Sequence, residues 1–569
     1  GLTFPTAAAN TKVLPLISGT LIDMPDPVSP AVRGTVNNVY LRMQRLSDGK
    51  WWAGSALKWQ TAVSSVTVNE VYGSSWILTS NVPAVGDLTD GTTYYASSAG
   101  LDNSDGGGNE EGYFHVRSST FIYDISDPQT GLTNIVHLST ISSLTSLSGT
   151  TLDEPGFSDI SKVSARTEKV ELSIQRDTDG QYYTGSTWGA LTWLATSTTA
   201  VSATSGTWVK NSGLPVWAHN VRYYVVARSS DLAGNLEAGF TVNVDSRSVM
   251  FDLQAATATI TNFVLDQGAS FYNVVASSIV GNVLDTPADI ASVEVALSSN
   301  SASDGDTAWY NGSSFSADIN AAGVYRSTSS YTDNIPGVAD LWSAPLPTSL
   351  MTHNKSYKVK VRTTDRAAPV NVRVQDFTFT YDIIAPTATV SRPVHNLSTG
   401  AVVVSSGTSN DSGVGVVSVA VSIQQAGGSC YGGATFASSC PNWLAVAGSV
   451  GSWSYGVTWV PGYQYTVTAR ASDRAGNVQS VFVTGVSANT FTYELNIPTA
   501  TITKPIVDRS KSLVTLSGTA ADVSPGAVSR VEVRMQSLED TAYWNPDGTS
   551  GFNIDPTSAE TSWFTAKQE

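Results

Sequence analysis

The sequence predicts an all-β chain, a tandem array of Greek-key β-sandwiches strung into an extended rod. Three observations point there. Apolar and polar residues alternate with a period of two in segment after segment, and no stretch carries helical periodicity. One pattern also recurs along the chain, its marker glycines 130, 132, 126 and 111 residues apart. A chain of 569 residues has room for about three to six domains, each large enough to bury a core.

Each repeat opens on an alternating run that ends in glycine. The runs are Leu16-Ile17-Ser18-Gly19, Leu147-Ser148-Gly149, Ile279-Val280-Gly281, Ser406-Gly407 and Leu516-Ser517-Gly518. A second alternating strand follows at Val39–Gln44, Val170–Gln175, Val293–Leu297, Val419–Gln424 and Val531–Gln536, so each has one face for the core and one for water. The middle of the repeat is aromatic with a Gly or Asn turn, as in Trp51-Trp52-Ala53-Gly54, Tyr182-Tyr183-Thr184-Gly185 and Trp309-Tyr310-Asn311-Gly312, which reads as a hairpin. Repeats two to four close on Tyr224–Asn235, Tyr357–Ala368 and Tyr465–Asn477, where an Asp ends the strand and can accept turn amides. Final strands such as Phe121-Ile122-Tyr123-Asp124, Phe379-Thr380-Tyr381-Asp382 and Phe491-Thr492-Tyr493-Glu494 lead into Pro-containing linkers. The boundaries expected are 1–124, 125–252, 253–382, 383–494 and 495–569. The fifth repeat stops before its closing hairpin. A longer polypeptide, or a strand lent by a neighbouring copy, would account for that, and Gly1-Leu2-Thr3-Phe4 reads as a bare strand that could be lent.

The closing segments resemble bacterial Ig-like tandem repeats of large secreted surface proteins and adhesins, whose last hairpin reads Tyr-x-Val-x-Ala-x-Ala-x-Asp-x-Ala-Gly-Asn. The match is close at Tyr465–Asn477, good at Tyr224–Asn235 and weaker in the third repeat, where Ala368 and Pro369 stand in place of Gly-Asn. The resemblance implies immunoglobulin-like sandwiches serving as stalks, adhesins or surface layers.

Composition narrows the function. A net charge of −16 with 31 dispersed basic residues excludes a phosphate-binding face, so no nucleic acid is expected. No run of 18 apolar residues occurs, so no membrane insertion is expected of this segment. The five histidines read as falling at unrelated places, no catalytic motif is present, and Asp231, Asp365 and Asp473 recur once per module at a turn, so no enzyme is expected.

Four groups remain as candidate sites. Cys430 and Cys440 form a loop disulfide if the chain is secreted, or are unrelated thiols. In the first repeat, Asp102, Asp105, Asn109 and Glu110 alternate with Gly and could ligate Ca²⁺, the one cofactor suggested though none is required; an exposed acidic turn is the alternative. Trp52, Trp188, Trp309 and Trp544 could stack on glycan, or fill the core. The reading is a non-enzymatic extracellular structural protein at the cell surface: a stalk, or a subunit of a surface fibre, layer or giant adhesin. Its partners would be neighbouring copies or further repeats. The alternatives are an adhesive module gripping cell-surface carbohydrate or protein, and an accessory region of a secreted enzyme.

Overall fold

The computed structural model describes the chain except residues 24–33, 104–107, 113–117, 154–166, 199–204, 267, 274–276, 300–306, 330–334, 450, 507–508, 546, 548–550 and 568–569. Four two-sheet sandwiches follow one another. In each, the alternating second strand is the centre of the larger sheet. Thr167–Arg176 lies antiparallel to Val221–Asp231, which lies antiparallel to Ser246–Phe251. The same trio recurs as Val36–Arg45, Thr92–Asp102 and Ser118–Tyr123; as Ile290–Ser298, Lys355–Asp365 and Val372–Tyr381; and as Val416–Gln425, Tyr463–Asp473 and Ala488–Tyr493. Val170, Leu172 and Ile174 turn inward while Glu171 faces out, as the period of two requires.

The smaller sheet packs across that core. In the second repeat it comprises Gln129–Leu132, Leu147–Leu152, Ser205–Lys210 and Ser197–Thr198. After its first strand, each repeat crosses to the larger sheet and pairs parallel with the last strand: Ala9–Thr11 beside Phe121–Tyr123, Ser139–Ile141 beside Val249–Phe251, and Leu397–Thr399 beside Phe491–Tyr493. The order is that of an immunoglobulin-like sandwich. Among the described residues a separate main apolar cluster fills each of the four sandwiches, and the third holds a second, smaller one around Trp309.

Two recurring contacts explain the sequence pattern. The marker glycine sits opposite a buried tryptophan: Gly19 pairs with Trp76, Gly149 with Trp208, Gly281 with Trp342 and Gly407 with Trp453. A β-carbon at Gly281 would lie 2.0 Å from the Thr259 carbonyl oxygen and 2.4 Å from Trp342 Cζ2, so only glycine leaves room for the indole. The tyrosine near the start of each second-to-last strand accepts a backbone N–H from five residues upstream. Thr89, Ala218 and Thr352 donate to the hydroxyls of Tyr94, Tyr223 and Tyr357 at 2.7, 3.0 and 2.7 Å, pinning the loop to the core.

The chain's first residues differ from expectation. Leu2–Phe4 is not bare; it pairs antiparallel with Ser18 and Gly19 of its own repeat and fills that repeat's sheet edge. Among the described residues of 499–565 there are three two-stranded ladders: Thr499–Lys504 with Ser517–Ala521, Glu532–Val533 with Phe564–Thr565, and Tyr543–Trp544 with Phe552–Ile554.

Candidate functional site: carboxylate clusters at the repeat joints

The aspartate that ends each closing strand is held by an asparagine in its own turn. Asn235 donates its backbone N–H to Asp231 Oδ1 and its Nδ2 to Asp231 Oδ2, both at 2.8 Å. The same Nδ2 reaches back across the joint to the carbonyl of Asp124, at 2.9 Å. Asn477 repeats this on Asp473 and on the carbonyl of Asp382. In the third repeat, where Ala368 and Pro369 displace the expected Gly-Asn, Asn371 takes the role: it binds both oxygens of Asp365 and the carbonyl of Asp252. The turn is two residues longer, yet the amide arrives at the same place.

Each linker acid is fixed as well. Asp124, Asp252 and Asp382 accept the backbone N–H two residues on, in an Asx turn, from Ser126, Gln254 and Ile384. Asp252 and Asp382 also accept an amide from the following repeat, from Ala288 and Val414. A third acid stands four residues after the marker glycine in every repeat, as Asp23, Asp153, Asp285, Asp411 and Asp522. Its signal in the sequence is the constant spacing from Gly19, Gly149, Gly281, Gly407 and Gly518, which shows no chemistry until the chain is folded.

Folding brings the three series together. Asp124, Asp153 and Asp231; Asp252, Asp285 and Asp365; and Asp382, Asp411 and Asp473 each converge, with one oxygen per residue within 4.8 Å of the others. All but the half-buried Asp411 are buried. Burial pushes the Asp231, Asp252 and Asp473 carboxyls above the usual range. Asp285 is pushed up to about 7, by burial first and then by the charge of Asp252. Within ion-pair reach of the second and third clusters, the basic groups among the described residues are two histidines. His219 Nδ1 lies 3.3 Å from Asp252 Oδ1, and His353 Nδ1 lies 3.1 Å from Asp382 Oδ1.

The histidines therefore do not fall at unrelated places. His219 and His353 hold equivalent positions beside the linker acid. His137 and His395 hold another, each accepting a backbone N–H of the last strand through Nδ1, from Ser248 and Thr490. They are scaffold groups, which a sequence without the joint geometry could not reveal. His115 lies outside the described residues.

The other candidate residues are placed as follows. Cys430 Sγ and Cys440 Sγ are 2.16 Å apart. Asn109 donates its backbone N–H and its Nδ2 to Asp102 Oδ1 and Oδ2, at 2.6 and 2.9 Å, the first repeat's version of the Asp–Asn clasp. Glu110 forms a backbone bridge with Leu101, and Asp105 lies outside the described residues. Trp52 and Trp309 are 1% and 0% exposed, which corrects the glycan-stacking expectation for both: neither has a face to offer. Trp188 is half-buried beneath Arg176, and Trp544 is half-buried against Phe552. The half-buried Trp193 and Trp443 instead line the sheet exterior, each stacked by an arginine, Arg228 or Arg470, and flanked by an exposed phenylalanine, Phe240 or Phe482.

Adjacent repeats also touch beyond the linker. The closing turn of each repeat leans on the one before it. Lys12 Nζ donates to the Gly234 carbonyl, Ala368 N donates to Thr140 O at 3.1 Å, and Arg474 lies 3.6 Å from Asp266 Oδ2.

No protein-family model matches the chain, and no curated protein sequence matches it. Among solved structures it is similar to the fibronectin(III)-like modules of Clostridium thermocellum CbhA, at 11% identity over 44% of this chain and 93% of that one, TM-score 0.20. It is similar also to the protocadherin GammaB4 extracellular domain, at 11% identity over 88% and 68%, TM-score 0.20. A third is the sialic acid binding region of the Streptococcus sanguinis SK1 adhesin, at 13% identity over 64% and 77%, TM-score 0.18. Likeness at this level carries no functional argument.

Proposed function

We propose that the chain is a non-enzymatic structural element of the cell exterior, the shaft of a surface fibre, layer or giant adhesin, in which serial joining of sandwiches sets length and stiffness. One observation carries this reading: the same joint is built three times, from a linker acid, an Asp–Asn clasp and a back-leaning turn. A module whose only purpose was its own ligand site would have no need to repeat the contact with its neighbour. An acidic surface of net charge −16 suits a protein that must stay dispersed outside the cell, and a loop disulfide at Cys430–Cys440 suits an oxidising compartment.

Small-angle X-ray scattering tests it. A strand of 11 residues such as Val221–Asp231 spans about 36 Å, so four modules joined end to end reach roughly 150 Å. The radius of gyration should then be about 43 Å, against about 25 Å for a compact globule of the same length. A value near 25 Å would end the shaft reading. An adhesive role would fall to the Arg-stacked Trp193 and Trp443 faces, and a glycan array comparing the native chain with Trp193→Ala and Trp443→Ala measures it.

A further inference from the structure

We propose that the outer face of the fourth repeat's larger sheet is a contact surface for a second copy of this chain, centred on Arg470 and completed by a carboxylate that the second copy brings. Such a contact joins one shaft to another, and so rests on the fibre or layer reading.

The same arginine platform stands on three repeats. Arg228, Arg362 and Arg470 hold equivalent places on the second-to-last strand, with the guanidinium 3.9, 3.9 and 4.2 Å from the ring centre of Trp193, Tyr325 and Trp443. In repeats two and three the residue directly across the ladder is an acid. Glu171 stands opposite Arg228 and accepts its Nε and Nη2 at 3.0 and 2.8 Å. Glu294 stands opposite Arg362 and accepts the same two groups at 2.8 and 2.7 Å. Opposite Arg470 stands Ala420, and Arg470 has no hydrogen bond or ion pair with any described residue.

Nothing nearby can neutralise it. From Ser412 to Tyr493 the chain holds three charged side chains, Arg470, Asp473 and Arg474. Asp473 is buried in the joint cluster, and Arg474 lies 3.6 Å from Asp266 Oδ2 of the preceding repeat. Arg470 faces outward between the buried Ala469 and Ala471, and its surroundings are apolar. The ring of Phe482 lies 5.6 Å from that of Trp443, and Phe482, Val481 and Val483 are all exposed. The platform is also fixed in advance: the Cys430–Cys440 disulfide ends three residues before Trp443, and Asn442 Nδ2 donates to the Tyr431 carbonyl at 2.8 Å.

Depletion of charge around tryptophan, phenylalanine and a central arginine is the make-up of the core of a protein–protein contact. Closing such a surface over an unanswered guanidinium is costly, whereas a carboxylate meets it with charge-assisted hydrogen bonds. A second copy has these groups in supply, since all but one of the 47 acidic side chains lie outside residues 412–493. Because this face offers no acid, the fourth repeat cannot meet the fourth repeat of another copy, and the two copies lie staggered or antiparallel. Over the rest of a surface of net charge −16 like charges hold copies apart, which confines the contact to the nearly uncharged module.

Sedimentation velocity of the full chain from about 1 to about 100 µM tests the assignment, because a contact of this modest size has a Kd in the micromolar range. The native chain should associate. Ala420→Glu sets an acid across from Arg470 in the register that repeats two and three already use, so it should melt no lower than the native chain and stay monomeric. Arg470→Ala should weaken association by about 30-fold or more. Arg474→Ala, which removes a cation that points to the preceding repeat, should leave association unchanged. A native chain that is monomeric throughout this range, an Ala420→Glu chain that associates as the native one does, or a glycan array bound through Arg470 by a chain that stays monomeric would overturn the proposal. Scattering extrapolated to zero concentration reads the single chain, so a failure of the shaft reading shows there and a failure of this contact shows in sedimentation.

Discussion

Replacing Gly281 by alanine perturbs the point where the smaller sheet meets its buried tryptophan. The new methyl would stand 2.0 Å from the Thr259 carbonyl oxygen and 2.4 Å from Trp342 Cζ2. The carbonyl is part of the paired neighbouring strand and cannot withdraw alone, so the indole must shift by an ångström or so. That shift strains a side chain that is 0% exposed and lengthens its Nε1 bond to Asn282 O, now 3.1 Å. Overpacking costs about 1–3 kcal/mol and a disrupted buried hydrogen bond about 1–2 more, so roughly 3–4 kcal/mol is expected in this repeat. For a module of this size each kcal/mol lowers the transition by about 3–5 °C, which makes the drop about 10–15 °C. Differential scanning calorimetry of the full chain should show one transition moved and the others in place, because the four cores are separate. Gly239→Ala, where nothing lies within 4 Å of the added carbon, is the control and should move nothing. A Gly281→Ala chain whose transitions all coincide with the native ones would refute the steric argument.

Asn371→Ala should destabilise the third repeat by about 1–3 kcal/mol, as Asn235→Ala should the second, since each removes an amide from a buried aspartate and from the linker carbonyl; denaturant midpoints that fall for Asn235→Ala alone would deny Asn371 its role. Stability should decline as pH rises from about 4 to 7. Asp285 is raised from 3.8 to about 7 in the fold, so the folded state holds the proton longer, and the favourable contribution present at low pH is lost through that window. Asp231, Asp252 and Asp473 act in the same direction, Asp285→Asn should flatten the slope, and midpoints that climb over this interval would contradict the linkage. Reduction of Cys430–Cys440 opens a loop of 10 residues, which should cost the fourth repeat about 2–3 kcal/mol and leave other transitions unmoved in a reducing melt.

How much of this was legible beforehand follows from the range over which each signal acts. Alternation in Val170–Gln175 or Val419–Gln424 is a property of neighbours, so strands, turns and repeat spacing could be read directly from the chain. The closing Asp–Asn turns of repeats two and four were visible for the same reason. Whether Trp52 or Trp309 faces inward was not, because each lies in a two-residue strand too short to show a period.

Three features depend on residues about a hundred positions apart meeting in space. The parallel pairing of Ser139–Ile141 with the last strand needs the sandwich to close first. Asn371 replaces an asparagine two positions away because the joint demands an amide at a point in space, whatever the length of the turn. Asp124, Asp153 and Asp231 are ordinary acids of a linker, a loop and a hairpin until two adjacent repeats fold and dock; burial then turns three separate charges into one cluster. Local chemistry along the chain determined the modules. The tertiary structure decided what they share, because removing several like charges from water has consequences only where strands from both sides of a joint converge.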